Sequence, residues 1–394
     1  MCAQGKKDKV LVFSSREICY MSSRFFANQI GAAFEELGFE TEICELDDED
    51  DLDERLMPYI GGKYRLILDF NSKLPRMVLE DGTPYLDALN GPFFDYILDH
   101  PLFHHNGLVG GASNMHVLVL DEAQQRYVKS CYPKIKSVHT LPLGATSAIY
   151  DGEKEAECRI LFPGTYDCPD AVYEVVKAAP DPLCSTMKRL IERRVEEPLL
   201  PMEEGFAELL KEEGRNLSAE QFALLMNSMY AVDAYIRDYF RKLVVDALLS
   251  AEIPITLMGE GWDKYSYRDE RSLRRERGLP FGLSFERIAK AHILLNCAPI
   301  FSRGMHDRIP AGMANRAVVL TDGNPYLDRE FADGKDLCFY SLKDIHSLCQ
   351  KAQLLIENGD LRGEIAQRAY HKFEENHTWK RRAQTLLRIA EEGR

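Results

Sequence analysis

The chain has 394 residues, a net charge of −14, and 45% hydrophobic and 28% charged residues. This length exceeds that of an ordinary domain with a single hydrophobic core, and it favours two domains. The negative charge argues against a general nucleic-acid surface, because such a surface needs clustered Lys and Arg. No apolar run reaches the roughly 18 residues of a membrane-spanning helix, and the polar start from Met1 to Lys9 is unlike a secretory signal. We therefore expect a cytoplasmic protein without an integral membrane segment or a nucleic-acid partner.

The ten cysteines are scattered along the chain and form no C-x-x-C pair. Zinc sites and disulfide frameworks need paired or regularly spaced cysteines. The pattern therefore indicates reduced thiols rather than a metal site.

The first half of the chain alternates short apolar strands with helical segments, which predicts a doubly wound α/β sheet. Strands are predicted at residues 9–13, 40–46, 64–70, 96–98, 116–120 and 137–141. Helical spacing of apolar residues predicts helices over about 25–37, ending at Gly38, and over 122–130. A Gly-containing, partly acidic stretch near 142–154 marks a linker. The predicted N-terminal domain is residues 1–150.

The second domain is predicted at residues 151–380, with strands at 158–162 and 254–258. A helical insertion separates these strands, over about 170–251. Its last helix is predicted to open at the capping box Ser218–Gln221 and to continue past Tyr239. The end of the chain, from 342 to 392, is predicted to be helical, and residues 381–394 form a helix that can pack back on the N-terminal domain.

The most informative stretch is residues 293–340, where an apolar run, a polar loop, a short helix and a second apolar run follow one another. This order predicts a parallel βαβ unit, whose ligand normally lies at the carboxyl ends of the strands. The loop carries His306, Asp307 and Arg308. A cation next to a helix N-terminus suits a phosphate group, so this loop is the predicted nucleotide site.

Several segments resemble the CgeB-like glycosyltransferases, a branch related to the group 1 transferases of the GT-B fold. They are GEGW at 259–262, HDRIPAGMANRAVVLTDGNPYLDREF from His306, HTW at 377–379, LDHPLFHH at 98–105 and HTLPLGA at 139–145. The resemblance implies two Rossmann-like domains facing a cleft, with the nucleotide-sugar in the C-terminal domain and the acceptor site in the N-terminal one. It also implies an enzyme that needs no metal and no cofactor.

One departure from the group 1 pattern concerns two glutamates that normally stand eight positions apart. The corresponding positions here are Arg303 and Ala311, ahead of a segment, Met313 to Val319, that is similar to MACGVPVV. The ribose and sugar contacts that those glutamates make cannot be carried over. Retention or inversion of the anomeric centre is therefore left open.

Candidate residues for the donor site follow the strands of the second half. Arg308 can bind two phosphate oxygens and stabilise a leaving diphosphate, although a structural salt bridge to Asp322, Asp328 or Glu330 is the alternative. The other candidates are His306, Asp307, Asn324, Gly164, Thr165, Gly259 and Trp262. For these, loop capping, ordinary turns or core packing are the competing interpretations.

Candidate residues on the acceptor side follow the strands of the first half. His100, before Pro101, is a candidate general base, with His104 nearby. A metal ion held by His100, His104 and His105 is disfavoured, because the adjacent pair His104 and His105 is poorly spaced for one ion. Ser14, Ser15 and Arg16 can face the cleft, or they can cap the next helix.

The sequence thus predicts a metal-independent glycosyltransferase that uses a nucleotide-diphosphate sugar, with a UDP-sugar favoured. Its acceptor is a hydroxyl of a glycan, a protein or a small molecule, and a homo-oligomer is compatible with the sequence. Two alternatives remain: a sugar-nucleotide epimerase or hydrolase of the same fold, and a non-catalytic binding or scaffold protein.

Overall fold

The computed structural model describes residues 8–15, 22–46, 51–71, 73–148 and 156–392. The chain divides into two compact units. Unit 1 is Met1–Gly144 with Thr378–Arg394, and unit 2 is Ala145–His377. The predicted boundaries were 150 and 380.

The strands, in chain order, are β1 (Lys9–Ser15), β2 (Glu40–Leu46), β3 (Leu66–Phe70), β4 (Phe93–Tyr96), β5 (Met115–Val119), β6 (Ser137–Thr140), β7 (Cys158–Pro163), β8 (Ile255–Met258), β9 (Leu273–Glu276), β10 (Ala291–Asn296), β11 (Val318–Asp322) and β12 (Cys338–Tyr340). The helices are α1 (Ser22–Glu36), α2 (Leu52–Leu56), α3 (His105–Gly110), α4 (Glu122–Cys131), α5 (Pro169–Ala178), α6 (Leu183–Glu196), α7 (Met202–Glu212), α8 (Ala219–Asn227), α9 (Tyr230–Ser250), α10 (Phe281–Ala289), α11 (Arg308–Ala314), α12 (Pro325–Glu330), α13 (His346–Glu357), α14 (Gly359–Asn376) and α15 (Trp379–Glu392).

Unit 1 is built on a parallel sheet of order β2-β1-β3-β4-β5-β6. Its central strands are mostly apolar and mostly buried, as expected when helices cover both faces of a parallel sheet. Helix α1 buries Phe26, Ile30 and Phe34 at helical spacing, and Gly38 follows its end with φ +95°. Helix α15 packs on α1, with the rings of Phe26 and Trp379 5.6 Å apart.

Unit 2 has a parallel sheet of order β12-β11-β10-β7-β8-β9. The chain builds β7, β8 and β9 outward in one direction and then crosses to β10, β11 and β12 on the other side of β7. The order therefore reverses between β7 and β10. In open α/β sheets the crevice at such a reversal is where ligands bind.

Two strands were missed by the sequence pattern, β9 and β12. Strand β9, with the sequence LRRE, lies at the edge of the sheet and is only partly buried, so it lacks an apolar run. Strand β12 has three residues and lies at the opposite edge. Edge position and short length remove the signal on which strand prediction depends.

One helical prediction was too long. The capping box at Ser218 is present, with reciprocal hydrogen bonds to Gln221, but its helix ends at Asn227 and α9 starts separately at Tyr230. The C-terminal region is helical as predicted, and it forms three helices, α13 to α15, because Asn358 caps a new helix and the chain breaks again at His377. Continuous helical spacing of apolar residues does not reveal such breaks.

Candidate functional site

The carboxyl ends of β7 and β10 meet at the reversal point of unit 2. Gly164 follows β7 with φ +150°, and Asn296 is the last residue of β10. Arg308 is the first residue of α11, which follows β10 along the chain. The predicted loop of residues 306–308 is therefore at the position where the fold favours a ligand.

Two guanidinium groups converge at Gly164. A Cβ atom placed on Gly164 would lie 2.7 Å from Nη2 of Arg308 and 3.7 Å from Nη2 of Arg241. Arg241 comes from helix α9 of the insertion, 67 positions before Arg308 in the sequence, and only 8% of its surface is exposed. Gly164 matters because the missing side chain leaves room for the Arg308 guanidinium.

The electrostatics of Arg241 are unusual. Burial, and then the neighbouring guanidinium groups of Arg308 and Arg237, lower the pKa of Arg241 to about 9, although Asp238 opposes this. Nη1 of Arg241 donates to the carbonyl of Thr165, whereas its buried Nε has no hydrogen-bond partner among the described residues. Buried like charges are costly unless an anion compensates them, so this arrangement suits an anionic ligand.

The side chain of His306 contacts the side chains of both Asp307 and Arg308. Its Nδ1 lies 2.5 Å from Oδ1 of Asp307, and its Nε2 lies 3.5 Å from Nη1 of Arg308. Burial, together with the Arg308 and Arg241 charges, lowers the pKa of His306 against the opposing effect of Asp307. A neutral ring with the proton on Nδ1 donates to Asp307 and accepts from Arg308 at Nε2, and it gives up the alternative contact in which Nδ1 accepts from the Arg308 backbone N–H at 3.2 Å.

Asp307 remains ionised in this arrangement. Burial alone would raise its pKa, but the His306 donor and the Arg308 charge hold the pKa of Asp307 at about 2. Helix α11 has only seven residues, so its dipole contributes little. The site therefore depends on side-chain charges more than on the helix N-terminus that the sequence predicted.

A buried polar layer supports Arg308. Its Nη1 donates to Oδ1 of Asn296 at 3.3 Å, and the hydroxyl of Tyr340 donates to the Asn296 carbonyl at 2.8 Å. Asp322 accepts from the Ala298 N–H at 3.0 Å. Burial raises the pKa of Asp322 to about 6, although hydrogen bonds and the Arg308 charge oppose the shift. Asn296, itself held by Tyr340, thus helps to hold the guanidinium in position.

The segment that follows β8 packs against the loop that follows β7. It includes Gly259, Gly261 and Trp262. Cβ atoms on Gly259 and Gly261 would lie 2.2 Å and 1.9 Å from the carbonyl oxygens of Gly164 and Tyr166, so both positions need glycine. Trp262 is 1% exposed, stacks on Tyr166 and donates from Nε1 to the Gly164 carbonyl at 2.6 Å. Trp262 is therefore a core residue that holds the loop and does not face a nucleobase pocket.

Asn324 has a structural role. Its Oδ1 accepts from the N–H groups of Tyr326 and Leu327 and caps helix α12. Its Nδ2 donates to the carbonyls of Phe301 and Gly304. All four hydrogen-bonding positions of the carboxamide are occupied, so a sugar contact would require one of these bonds to break.

The predicted acceptor residues belong to unit 1. Arg16 and the side chain of Ser15 lie outside the described residues. The Ser14 hydroxyl is buried against that of Ser23, at 3.2 Å. His100 is 2% exposed, and its Nδ1 accepts from the Leu102 N–H. An acceptor hydroxyl does not reach this ring without rearrangement.

His104 lies at the start of helix α3 and is half-buried. Burial lowers its pKa to about 4, against the opposing effect of Asp99. Its Nε2 has no hydrogen-bond partner in the described part of the chain. The ring is therefore neutral near pH 7.

Sequence reasoning missed Arg241, which the fold brings to Arg308. The available signal was a charged residue among the buried positions of a long helix, where Val232, Ile236 and Phe240 are fully buried. Arginine is rarely buried without a function or a partner. Across the described ranges, no group of three or more potential metal ligands occurs, and no helix is long and apolar enough to cross a membrane.

The chain was compared with known proteins. A family model described as glycosyl transferase-like matches residues 237–388, which is less than half of the chain and includes Arg241 and Arg308. No curated protein sequence matches the chain.

Three solved structures illustrate the structural similarity. Sucrose-phosphate synthase from Thermosynechococcus elongatus is similar over 98% of this chain and 99% of its own, with a TM-score of 0.56 and 10% identity. HepE from Anabaena, in complex with UDP and glucose, is similar over 98% and 100%, with a TM-score of 0.52 and 10% identity. TarM is matched over 86% of this chain but only 57% of its own length, with a TM-score of 0.45 and 11% identity. The two full-length similarities identify the architecture of this chain as the GT-B fold.

Proposed function

We propose that the protein is a glycosyltransferase that moves a sugar from a nucleotide-diphosphate donor, preferably a UDP-sugar, to a hydroxyl acceptor. The observation that carries this proposal is the convergence of Arg241 and Arg308 at Gly164, at the reversal point of the unit 2 sheet. Two guanidinium groups in a poorly solvated site match the charge of a diphosphate.

The chemistry of the transfer explains why two cations are useful. Breaking the bond between the anomeric carbon and the phosphate oxygen leaves both bonding electrons on the diphosphate. Arg241 and Arg308 neutralise this developing charge, and they do so without reorganisation because Asn296 and Thr165 already hold them. The two arginines supply the positive charge that a divalent metal ion supplies in metal-dependent enzymes. This supports a metal-independent and cofactor-independent reaction.

Several finer points are part of this proposal. HepE was solved with UDP and glucose, and this supports a UDP-hexose donor. The resemblance of the HDR segment and its surroundings supports a CgeB-like transferase. The acceptor is a glycan, a protein or a small molecule, in a cytoplasmic setting, and a homo-oligomer is compatible with the proposal.

Calorimetry on the full chain tests the donor site. We expect UDP to bind at least tenfold more tightly than UMP, because the second phosphate engages the arginine pair. Arg308→Ala should remove this difference and lower glycosyl transfer at least tenfold while the protein stays folded. Equal binding of UDP and UMP, or unchanged transfer in a folded Arg308→Ala variant, would refute the assigned role.

An acceptor-omission experiment separates the alternatives. A transferase should release UDP from UDP-glucose much faster when a panel of hydroxyl acceptors is added. Product formation that is independent of any acceptor would indicate a hydrolase or an epimerase instead.

A further inference from the structure

A cavity lies in unit 2, beside the turns that follow β11 and β12. Its volume is about 670 Å³, which is within the range of small-molecule sites. The connection between α6 and α7 (residues 197–201) lines one side, and the turns that follow β11 and β12 line the other. The insertion therefore builds a wall of this cavity over the carboxyl ends of two strands.

Hydrogen bonds link one residue of the cavity lining to Arg308. Tyr340 lines the cavity and donates its hydroxyl to the Asn296 carbonyl, while the side chain of Asn296 accepts from Arg308. Strands β10, β11 and β12 are consecutive neighbours, and neighbouring strands are about 4.8 Å apart. A ligand whose phosphates lie at Gly164 can thus extend from the reversal point toward this cavity.

The lining is apolar over much of its surface. Leu199, Leu200, Phe339 and Leu342 all contribute to it. Leu199 is 44% exposed, so part of the lining is apolar surface that a ligand can cover. A ligand gains from this wall only if it presents an apolar group to it.

The charged residues of the cavity largely compensate one another. Arg303 pairs with Glu204 at 3.2 Å, and Lys351 pairs with Asp333 at 2.6 Å. The remaining lining charges are one cation, Lys343, and two carboxylates, Glu197 and Asp328. This balance gives no advantage to an anionic sugar such as a uronic acid.

We propose that this cavity binds the glycosyl part of the donor and selects a neutral sugar that carries an apolar substituent, such as the acetamido methyl group of N-acetylglucosamine. The inference rests on the proposed function, because it assumes that the diphosphate lies at the arginine pair. The missing glutamates at positions 303 and 311 are consistent with it, since the sugar is held against the insertion.

Calorimetry on the full chain with UDP, UDP-glucose, UDP-N-acetylglucosamine and UDP-glucuronic acid tests this selection. We expect UDP-N-acetylglucosamine to bind at least about fourfold more tightly than UDP-glucose, which corresponds to about 0.8 kcal/mol for one buried methyl-sized group. UDP-glucuronic acid should show no such advantage. UDP, which lacks the transferred sugar, measures binding of the nucleotide without the cavity.

The variant Leu199→Ser isolates the cavity wall. It should reduce the preference to less than twofold and leave the affinity for UDP unchanged. Leu224→Ser is the matched control, because Leu224 is a 60% exposed leucine on helix α8 that does not line this cavity. This control should bind all four ligands like the original protein.

Several outcomes would overturn the inference. Equal binding of the two neutral donors, tighter binding of UDP-glucuronic acid, or a preference that survives Leu199→Ser would each do so. A loss of UDP affinity in Leu199→Ser would assign the cavity to the nucleoside instead. If UDP itself does not bind, the proposed UDP-sugar donor fails and the inference fails with it, whereas UDP binding without the preference refutes the inference alone.

Discussion

The replacement Arg241→Met tests whether the protein maintains a costly charge for the sake of its ligand. Arg241 is buried, and burial lowers its pKa to about 9, so its charged form is less favourable in the folded chain than in the unfolded one although the residue stays charged at pH 7. A shift of this size corresponds to at most about 5 kcal/mol of unfavourable free energy at neutral pH. Methionine fills similar volume without a charge.

The loss of Arg241 also has a cost. Its hydrogen bond to the Thr165 carbonyl disappears, and Asp238, 3.7 Å away, keeps the more distant Arg237 and the Asp167 N–H as partners. Such losses amount to about 1–3 kcal/mol each. Because the two effects oppose each other, we expect the free energy of unfolding to fall by no more than about 1 kcal/mol, whereas breaking an ordinary buried ion pair costs about 3–5 kcal/mol.

Denaturant unfolding and calorimetry with UDP measure the two effects on the same preparation. Arg241→Met should weaken UDP binding at least tenfold with little change in stability. Arg194→Met is the control, since Arg194 is also buried but donates to the Pro299 carbonyl from helix α6. We expect the control to destabilise the protein and to leave UDP binding unchanged.

One result would refute this reasoning. If Arg241→Met lowers the free energy of unfolding by 3 kcal/mol or more while UDP binds as before, Arg241 is a structural residue and the site must be assigned elsewhere.

Two further predictions concern the structural framework. Burial lowers the pKa of His116 to about 4. Between pH 6.5 and pH 4 the unfolded chain therefore binds a proton on His116 that the folded chain does not bind. The contribution of His116 to the free energy of unfolding should be complete above pH 6.5 and fall toward pH 4, by up to about 3 kcal/mol. His116→Gln should flatten this fall in unfolding curves measured at pH 7.5 and 4.5, and an unchanged slope would contradict the assignment. Gly261→Ala should lower the free energy of unfolding by several kcal/mol, because its Cβ would lie 1.9 Å from the Tyr166 carbonyl at φ +80°. Gly214→Ala, at φ +68° with no atom within 4 Å, should cost only about 1 kcal/mol, and equal effects in thermal unfolding would contradict the steric argument.

The chemical character of the site was readable from sequence only in part. Arg308 and its neighbours follow a strong strand-loop-helix pattern, and the fold rule for parallel sheets made their loop a candidate. Asn324 and Trp262 were candidates for the same reason, but Asn324 caps helix α12 and Trp262 packs in the core against Tyr166. Residue type and position after a strand do not distinguish a side chain that faces a ligand from one that faces its own backbone.

The sequence by itself determined the alternation of strands and helices, the two α/β halves and the helical insertion, because burial of parallel strands leaves continuous apolar runs. It could not determine the strand order, the edge strands β9 and β12, or the partner of Arg308. Arg241 lies on α9 and Gly164 follows β7, so their meeting depends on how the insertion packs on the sheet. Contacts between residues so distant in sequence leave no local periodic signal, and only the tertiary structure brings the two arginines together.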